Sequence, residues 1–197
     1  MRIAMIGGGG VGQTLGAALI GKGHEVVIGI RAPSTEELAR PRAQAEPLSD
    51  WVARTGGRVA DFAEAATAGE VVFNVTQGQH SLAALRAAGA ANLAGKVLVD
   101  VANPLDFSKG MPPFLDPGLS GPTSLGEAIQ AAFPEARVVK AFNTVAAPVM
   151  VDPALIPGAH ELFLSGNDAA AKDLVREIAR GFGWQGFVDL GDIVGAR

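Results

Sequence analysis

Short apolar runs alternate along the chain with segments of helical period. Near-continuous valine, isoleucine and leucine runs, without strict in–out alternation, are typical of parallel strands covered on both faces. The alternation therefore predicts an open α/β sheet with right-handed crossovers. The predicted strands are Arg2–Ile6, Glu25–Ile30, Val71–Val75, Lys96–Val101, Arg137–Ala141, Glu161–Ser165 and Gln185–Asp189.

Helix signals lie between these runs. Within Asp168–Gly181 apolar residues recur at i, i+3, i+4, i+7 and i+8, which predicts a helix with one buried face. Asn167 or Asp168 is expected to cap its first turn. Ser34 and Ser124 each stand three residues before a glutamate, the spacing of a capping box, and predict two further helix starts.

A glycine-rich turn follows the first predicted strand and opens a helix. Residues 7–12 read Gly-Gly-Gly-Gly-Val-Gly and fit the pattern Gly-x-Gly-x-x-Gly. In this pattern Gly7 permits the tight turn, Gly9 lets the backbone approach a pyrophosphate, and Gly12 lets the helix pack close to the strand. The motif alone is weak. Its place between a strand and a helix, with a second strand following, indicates a dinucleotide-binding fold.

The end of the second predicted strand indicates which dinucleotide binds. An NAD enzyme usually has Asp or Glu there to hold the ribose 2′-hydroxyl, whereas here Ile30 is followed by Arg31. Arginine can bind a 2′-phosphate through two hydrogen bonds, and Ser34 adds a hydroxyl. These residues favour NADP(H) over NAD(H). The alternative interpretations are a solvated loop arginine and a serine that only caps a helix.

Composition excludes several kinds of chemistry. With 48% apolar and 18% charged residues the chain is not disordered, and a net charge of −4 argues against nucleic-acid or anionic-membrane partners. Cysteine and tyrosine are absent, which excludes disulfides, thiolate sites and a tyrosine acid. No metal-ligand spacing occurs, so we expect no metal site. The uncharged stretch Ile3–Gly21 is too rich in glycine for a membrane helix, and we expect a cytoplasmic protein.

Polar residues follow three of the predicted strands. Thr76, Asn103, and the pair Asn143 and Thr144 stand at these positions. Because ligands of open α/β sheets bind outside the carboxyl ends of the strands, we expect these side chains to converge near a nicotinamide. His80, just beyond Thr76, is the histidine expected nearest this cleft. No nucleophile–base pair can be assembled, so these five residues are cleft candidates without an assigned catalytic role.

We predict a Rossmann-type α/β fold, a doubly wound and mainly parallel sheet with a small C-terminal α/β extension. Residues 1–145 are expected to form the dinucleotide-binding domain and residues 146–197 a small lobe packed on it; one continuous domain over 1–197 is the alternative. Between Pro104 and Pro122 no helical or strand period is visible. This predicts a long loop, which is usually functional or mobile.

The chain resembles the NADPH-dependent oxidoreductases typified by coenzyme F420:NADP oxidoreductase. The resemblance covers nearly the whole chain and rests on the glycine turn, on Gly29–Arg31, and on the segments Asp100–Leu105 and Val139–Val145. The ferric-reductase domain of the six-transmembrane metalloreductases is also similar. The resemblance implies NADP(H) on the N-terminal fold, a flavin or F420 as a second substrate in a cleft closed by the C-terminal part, and a homodimer.

Carried over to this sequence, the resemblance also implies a set of binding residues. Arg31 would hold the 2′-phosphate, and Phe142–Thr144 would line the deeper cleft. The pyrophosphate turn and the nicotinamide side would be formed by Gly7, Gly9, Gly10, Val11, Gly12, Thr76, Asn103 and Pro104.

The sequence thus predicts hydride transfer between NADP(H) and a flavin or deazaflavin, a reaction that depends mainly on positioning two rings with water excluded. Two alternatives stay open. One is NADPH-dependent reduction of a small imine or carbonyl compound, and the other is a non-catalytic NADP(H)-binding redox sensor. Lys140 could be catalytic, but a lysine at the end of a strand is more often a charge at the edge of the sheet.

Overall fold

The computed structural model describes residues 1–42 and 44–197. All seven predicted strands are present within one residue of the expected bounds at each end, and three short strands are added to them. The strands are β1 Arg2–Ile6, β2 Glu25–Ile30, β3 Arg58–Asp61, β4 Val71–Asn74, β5 Val97–Asp100, β6 Leu105–Asp106, β7 Phe114–Leu115, β8 Arg137–Ala141, β9 Glu161–Gly166 and β10 Gly186–Asp189.

Helices connect most of these strands, together with 3₁₀ turns at Pro153–Leu155 and Ile193–Ala196. The helices are α1 Gly10–Gly21, α2 Thr35–Ala39, α3 Leu48–Thr55, α4 Phe62–Ala68, α5 Gly78–Ala88, α6 Ala90–Leu93, α7 Leu125–Ala132, α8 Ala147–Val151 and α9 Ala169–Phe182.

The main sheet confirms the predicted fold class. Within the described residues it has eight strands in the order β10-β9-β8-β5-β4-β1-β2-β3. Six of these strands, in the spatial order β8-β5-β4-β1-β2-β3, are parallel to their neighbours, which is the strand order of a dinucleotide-binding fold. β9 pairs antiparallel with β8, and β10 is parallel to β9. Residues 146–197 therefore extend the same sheet.

Two hydrophobic clusters cover the two faces of this sheet, as the near-continuous apolar strands predict. Along β1, Ile3 and Met5 belong to one cluster with side chains of α1, α3, α8 and α9. The intervening Ala4 and Ile6 belong to the other, with side chains of α4, α5 and α7. Successive residues of a strand point to opposite faces, so both sets are buried only because helices lie on each side.

Two buried tryptophans join helices that pack on one face of the sheet. Trp51 of α3 is fully buried, and its indole Nε1 donates to the carbonyl oxygen of Gln13 at 3.0 Å. A β-carbon at Gly16 would lie 3.0 Å from Cζ2 of this ring, so α3 packs directly on the back of α1. Trp184 is also buried and donates to the carbonyl oxygen of Met150 at 2.9 Å. Buried indoles normally have such a partner.

The predicted helix starts are confirmed. The side chains of Ser34, Ser124 and Asp168 each accept a hydrogen bond from a backbone N–H three residues later, at 3.1, 3.2 and 2.7 Å. They satisfy one of the free amides of each first turn. The long helix α9 ends at Gly183, which adopts a φ of 107°.

The prediction of a structureless segment between Pro104 and Pro122 is wrong in one respect. β6 and β7 pair there as a small antiparallel hairpin in which Leu105 lies opposite Leu115. Each strand has two residues, too short for a period to be visible. β3 was also missed, because its four residues begin and end with a charged side chain. Among the described residues, no helix is both long and apolar enough to cross a membrane.

Candidate functional site

The glycine turn between β1 and α1 is built from contacts that exclude side chains. Gly7 adopts a φ of 125°, and a β-carbon there would lie 2.8 Å from the carbonyl oxygen of Val75. At Gly12 a β-carbon would lie 2.3 Å from the carbonyl oxygen of Gly7. These contacts agree with the expected roles of a tight turn and of close helix–strand packing.

Gly9 differs from the other two glycines of the motif. No heavy atom of the described residues lies within 4 Å of a β-carbon built on it. Gly9 is the N-cap of the twelve-residue helix α1 and has no side-chain cap, so no side chain occupies the first amides of the helix, and Gly9 and Gly10 line the adjoining cleft. Such a helix start, with free amides and a partial positive charge, is suited to a phosphate group.

A segment that the sequence analysis missed lies over this turn. The backbone oxygen of Gln44 would lie 2.8 Å from a β-carbon at Gly10, and Gln44 lines the adjoining cleft. Gln13 of α1 holds this segment by donating from Nε2 to the carbonyl oxygen of Glu46 at 2.9 Å. Since the contact is between backbone and glycine, no side-chain pattern signals it.

A cavity of 830 Å³ lies beyond the end of β2. Its lining residues include Arg31, Ser34, Glu37, Arg40 and Phe62. Arg31, which directly follows β2, is exposed there, as a 2′-phosphate ligand must be. The hydroxyl of Ser34 accepts the N–H of Glu37 and so caps α2; its own proton stays available to the cavity.

Glu37, which lines this cavity, forms ion pairs with two arginines. Oε1 of Glu37 accepts from Arg40 at 2.9 Å and from Arg42 at 2.8 Å. The hydrogen bond from Arg40 is the largest influence that lowers the pKa of Glu37 below its usual value, and Arg42 lowers it further. Two guanidinium groups thus converge on one carboxylate beside Arg31.

A second cavity, which we call the cleft, has a volume of 700 Å³ and lies at the carboxyl ends of β1, β4, β5 and β8. Gly9, Gly10 and Val11 form one side of it. Among the described residues that line it, none has an ionisable side chain. The lining residues are Gly9, Gly10, Val11, Thr14, Gln44, Val75, Thr76, Gln77, Val101, Ala102, Asn103, Leu105, Phe107, Asn143, Val145, Ala146, Ala147, Pro148 and Met150.

The cleft brings together three of the five predicted candidates, Thr76, Asn103 and Asn143. The other two lie elsewhere. Thr144 lines a small separate pocket beside β9, because the chain turns away from the cleft after Asn143. His80 lies on the exposed side of the first turn of α5 and is not among the cleft-lining residues.

Two further residues implied by the resemblance also lie away from the cleft lining. Pro104 is buried, and its Cα would lie 2.6 Å from a β-carbon at Gly78, so it packs against the start of α5. Phe142 is buried in the core, edge-on to Phe182 with ring centroids 6.4 Å apart. Its positive φ of 65° is rare for a bulky residue and turns the chain directly before Asn143.

Asn103 and Asn143 bind each other across the cleft floor. Nδ2 of Asn103 donates to the backbone oxygen of Asn143 at 2.7 Å, and Nδ2 of Asn143 donates to Oδ1 of Asn103 at 3.3 Å. The backbone N–H of Gly78 donates to the carbonyl oxygen of Asn103 at 3.1 Å. The loops after β5 and β8 and the start of α5 are therefore fixed to one another.

Behind the cleft lies a buried polar ladder, formed by Asn74, Asp100 and Lys140. These residues are register partners on the neighbouring strands β4, β5 and β8. Nδ2 of Asn74 donates to Oδ1 of Asp100 at 2.8 Å, and Nζ of Lys140 donates to Oδ2 of Asp100 at 2.9 Å. Lys140 also donates to the carbonyl oxygen of Ala102.

The interpretation of Lys140 as a charge at the sheet edge is wrong. The residue is 6% exposed, because β9 and β10 continue the sheet beyond β8. A signal for the ladder was present in the sequence, since Asn74 and Asp100 each end an apolar run with a buried-strand pattern. The sequence does not show that these two residues are register partners on neighbouring strands.

Thr76 connects this ladder to the cleft. Its Oγ1 lies 2.8 Å from Oδ1 of Asn74 and 2.8 Å from Oγ of Ser81, and Nδ2 of Asn74 donates to Oγ of Ser81 at 2.9 Å. Asn74 and Ser81 are fully buried. Within the part of the chain that the structure describes, no group of three or more acidic or histidine residues is placed to hold a metal ion.

Comparisons with known proteins find a matching family model and similar structures. The family described as NADP oxidoreductase coenzyme F420-dependent matches residues 2–104. The crystal structure of a protein from Arthrobacter sp. FB24, described as a putative F420-dependent NADP reductase, superposes with a TM-score of 0.93 at 52% identity. The match covers 100% of this chain and 87% of that one.

Two curated relatives also match over the whole chain. Metalloreductase STEAP3 of Rattus norvegicus is 30% identical over 199 residues, which cover 100% of this chain but 35% of that protein. This chain thus spans about a third of the metalloreductase. The F420-dependent NADP reductase of Methanocaldococcus jannaschii is 28% identical over 207 residues, which cover 100% of this chain and 86% of that protein.

Proposed function

Since this chain belongs to the NADP oxidoreductase coenzyme F420-dependent family, we propose that it transfers a hydride between NADP(H) and a flavin or deazaflavin of the F420 type. The observation that carries the proposal is the composition of the cleft. Its described lining combines an apolar surface with Thr76, Asn103 and Asn143 and has no acid or base. Hydride transfer between two flat rings needs positioning and exclusion of water more than proton transfer by the protein.

The residues present fit a phosphorylated dinucleotide. The open space at Gly9, where a β-carbon would meet nothing within 4 Å among the described residues, leaves room for a pyrophosphate against the amides of α1. Arg31, with Ser34, would hold the 2′-phosphate in the cavity beyond β2. Asn103 and Thr76 would hold the nicotinamide in the cleft.

In the proposed reaction a hydride passes between C4 of the nicotinamide and the flavin-like ring, and water supplies or takes the proton that balances the change. The apolar residues of the cleft, among them Val75, Leu105 and Met150, would exclude water from the reacting faces. The mutual hydrogen bonds of Asn103 and Asn143 would keep the cleft floor in one arrangement. The protein's contribution is then to orient and to desolvate.

The test uses the whole purified chain. NADPH is mixed separately with F420, FMN, a ferric chelate, a small imine and a small carbonyl compound, and the loss of nicotinamide absorbance is followed. We expect turnover with F420 or FMN. Tight NADPH binding with no turnover on any acceptor would contradict the proposal and favour a redox sensor. Turnover only with a small imine or carbonyl compound would also contradict it.

A homodimer remains a prediction, and exposed apolar side chains beside the cleft support it. Phe107, Met111, Phe114 and Leu115 on the segment around the β6–β7 hairpin are 49%, 80%, 58% and 54% exposed. A second copy covering them would also shield the cleft, which Phe107 lines. Sedimentation of a monomer at micromolar concentration would contradict the prediction.

A further inference from the structure

We propose that the buried ladder fixes the Thr76 hydroxyl as a hydrogen-bond acceptor toward the cleft, and that this oxygen accepts from the amide N–H of the nicotinamide carboxamide. The inference rests on the proposed function, because it requires a nicotinamide in the cleft. It assigns a positioning role to Asn74, Asp100 and Lys140, none of which lines the cleft.

The first step is the orientation of the Asn74 amide. Asp100 is fully buried and paired with the Lys140 ammonium at 2.9 Å, so its carboxylate acts as an acceptor only. Oδ1 of Asp100 already accepts the backbone N–H of Ala102 at 3.3 Å. The atom of Asn74 that faces this oxygen at 2.8 Å must therefore be the donor Nδ2, which places Oδ1 of Asn74 toward Thr76.

The second step is the position of the single Thr76 proton. Oδ1 of Asn74 can only accept, so in the 2.8 Å contact the Thr76 hydroxyl donates. The second N–H of Asn74 donates to Oγ of Ser81. In the 2.8 Å contact between Ser81 and Thr76, the remaining donor is the Ser81 hydroxyl. Asn74, Ser81 and Thr76 thus form a closed ring of three hydrogen bonds with one direction.

The third step concerns what Thr76 presents to a ligand. A hydroxyl oxygen has one proton and two lone pairs. The proton is donated to Asn74 and one lone pair accepts from Ser81, so one lone pair is left for the cleft that Thr76 lines. Thr76 can therefore bind an N–H donor there but cannot donate a proton to a substrate. Of the polar groups on a nicotinamide, the carboxamide nitrogen is the N–H donor.

The experiment removes the donor from the ligand and the acceptor from the protein in turn. NADP⁺ and its 3-acetylpyridine analogue, in which a methyl group replaces the amide nitrogen, are titrated by calorimetry into the wild-type chain and into Thr76→Val. We expect Thr76→Val to weaken NADP⁺ by roughly three- to tenfold, the worth of one neutral hydrogen bond. Affinity for the analogue should be the same for both proteins.

Two further variants make the result specific. Thr76→Ser keeps the hydroxyl and should restore the preference for NADP⁺, and Thr76→Ala should lose it like Thr76→Val. Thr67→Val makes the same chemical change on the exposed surface of α4 and serves as the control. Equal losses for both dinucleotides in Thr76→Val would overturn the inference while leaving the proposed function intact. A wild-type chain that binds neither dinucleotide would overturn both.

Discussion

Gly12 packs so closely on Gly7 that a β-carbon at position 12 would lie 2.3 Å from the carbonyl oxygen of Gly7. The atom it would meet belongs to the backbone of the β1–α1 turn, which cannot rotate aside as a side chain would. The same turn has open space at Gly9. Gly12 is therefore required by packing, whereas the proposed function assigns Gly9 to dinucleotide binding.

This difference predicts opposite outcomes for two alanine variants. Gly12→Ala should destabilise the fold by about 1–3 kcal/mol, the usual cost of overpacking. Gly9→Ala should change stability by less than about 1 kcal/mol, since an alanine is only a poorer N-cap, but should weaken NADP(H) binding. Urea denaturation and calorimetry separate the two effects. Normal stability of Gly12→Ala would contradict the packing role.

Arg31 is expected to discriminate between the two dinucleotides. Arg31→Ala should weaken NADPH by about 1.5–3 kcal/mol, the scale of hydrogen bonds to a charged group, and leave NADH little changed. Arg58→Ala, which removes another exposed arginine, paired with Glu64 at the surface, is the control. Equal losses for NADPH and NADH would disprove the phosphate assignment.

Glu37 should make stability depend on pH in one direction. Its pKa in the folded chain is lowered, first by the hydrogen bond from Arg40, so the carboxylate stabilises the fold above the pKa it has when unfolded. That contribution is lost as the pH falls through the lowered value. At neutral pH the free energy of unfolding should be about 0.2–1 kcal/mol higher for the wild-type chain than for Glu37→Gln. In acid the two should converge, and urea denaturation across pH at constant ionic strength checks this.

The buried pair of Lys140 and Asp100 predicts strong coupling between two substitutions. Lys140→Met leaves a carboxylate without its cation at a fully buried position and should cost about 3–5 kcal/mol. Asp100→Leu leaves the Lys140 ammonium group without its carboxylate partner and should cost a similar amount. The double variant should recover a large part of either loss. Additive losses in urea denaturation would show that the two side chains do not depend on each other.

Much of the fold could be predicted from the sequence because local signals and tertiary structure agree. Strands with continuous apolar runs, such as β1 and β2, are buried on both faces and were found with their observed bounds. β3 and the β6–β7 hairpin were missed, since elements of two to four residues carry no readable period. The antiparallel direction of β9 was not predicted either, because the residues of a strand do not show whether it pairs parallel or antiparallel.

The candidate site was predictable where it depends on strand ends. Thr76, Asn103 and Asn143 follow strands and meet, as the rule for parallel sheets requires. Thr144 and His80 failed to join them because one residue further along a turn, or one side of a helix, decides where a side chain points. The ladder behind the cleft could not be predicted, because its three residues meet only in the observed register of β4, β5 and β8, which the sequence does not show.

The burial of Trp51 behind α1, the helix that the proposed function places against the dinucleotide, has a practical consequence. With two tryptophans and no tyrosine in the chain, ultraviolet-excited emission comes from two indoles alone. Trp51 donates a hydrogen bond to the backbone of Gln13, one turn into the helix that begins in the glycine turn. The dihydronicotinamide ring absorbs light at the wavelengths that indoles emit, so energy transfer should quench this emission on binding. Tryptophan fluorescence should therefore report the binding of NADPH without an added label.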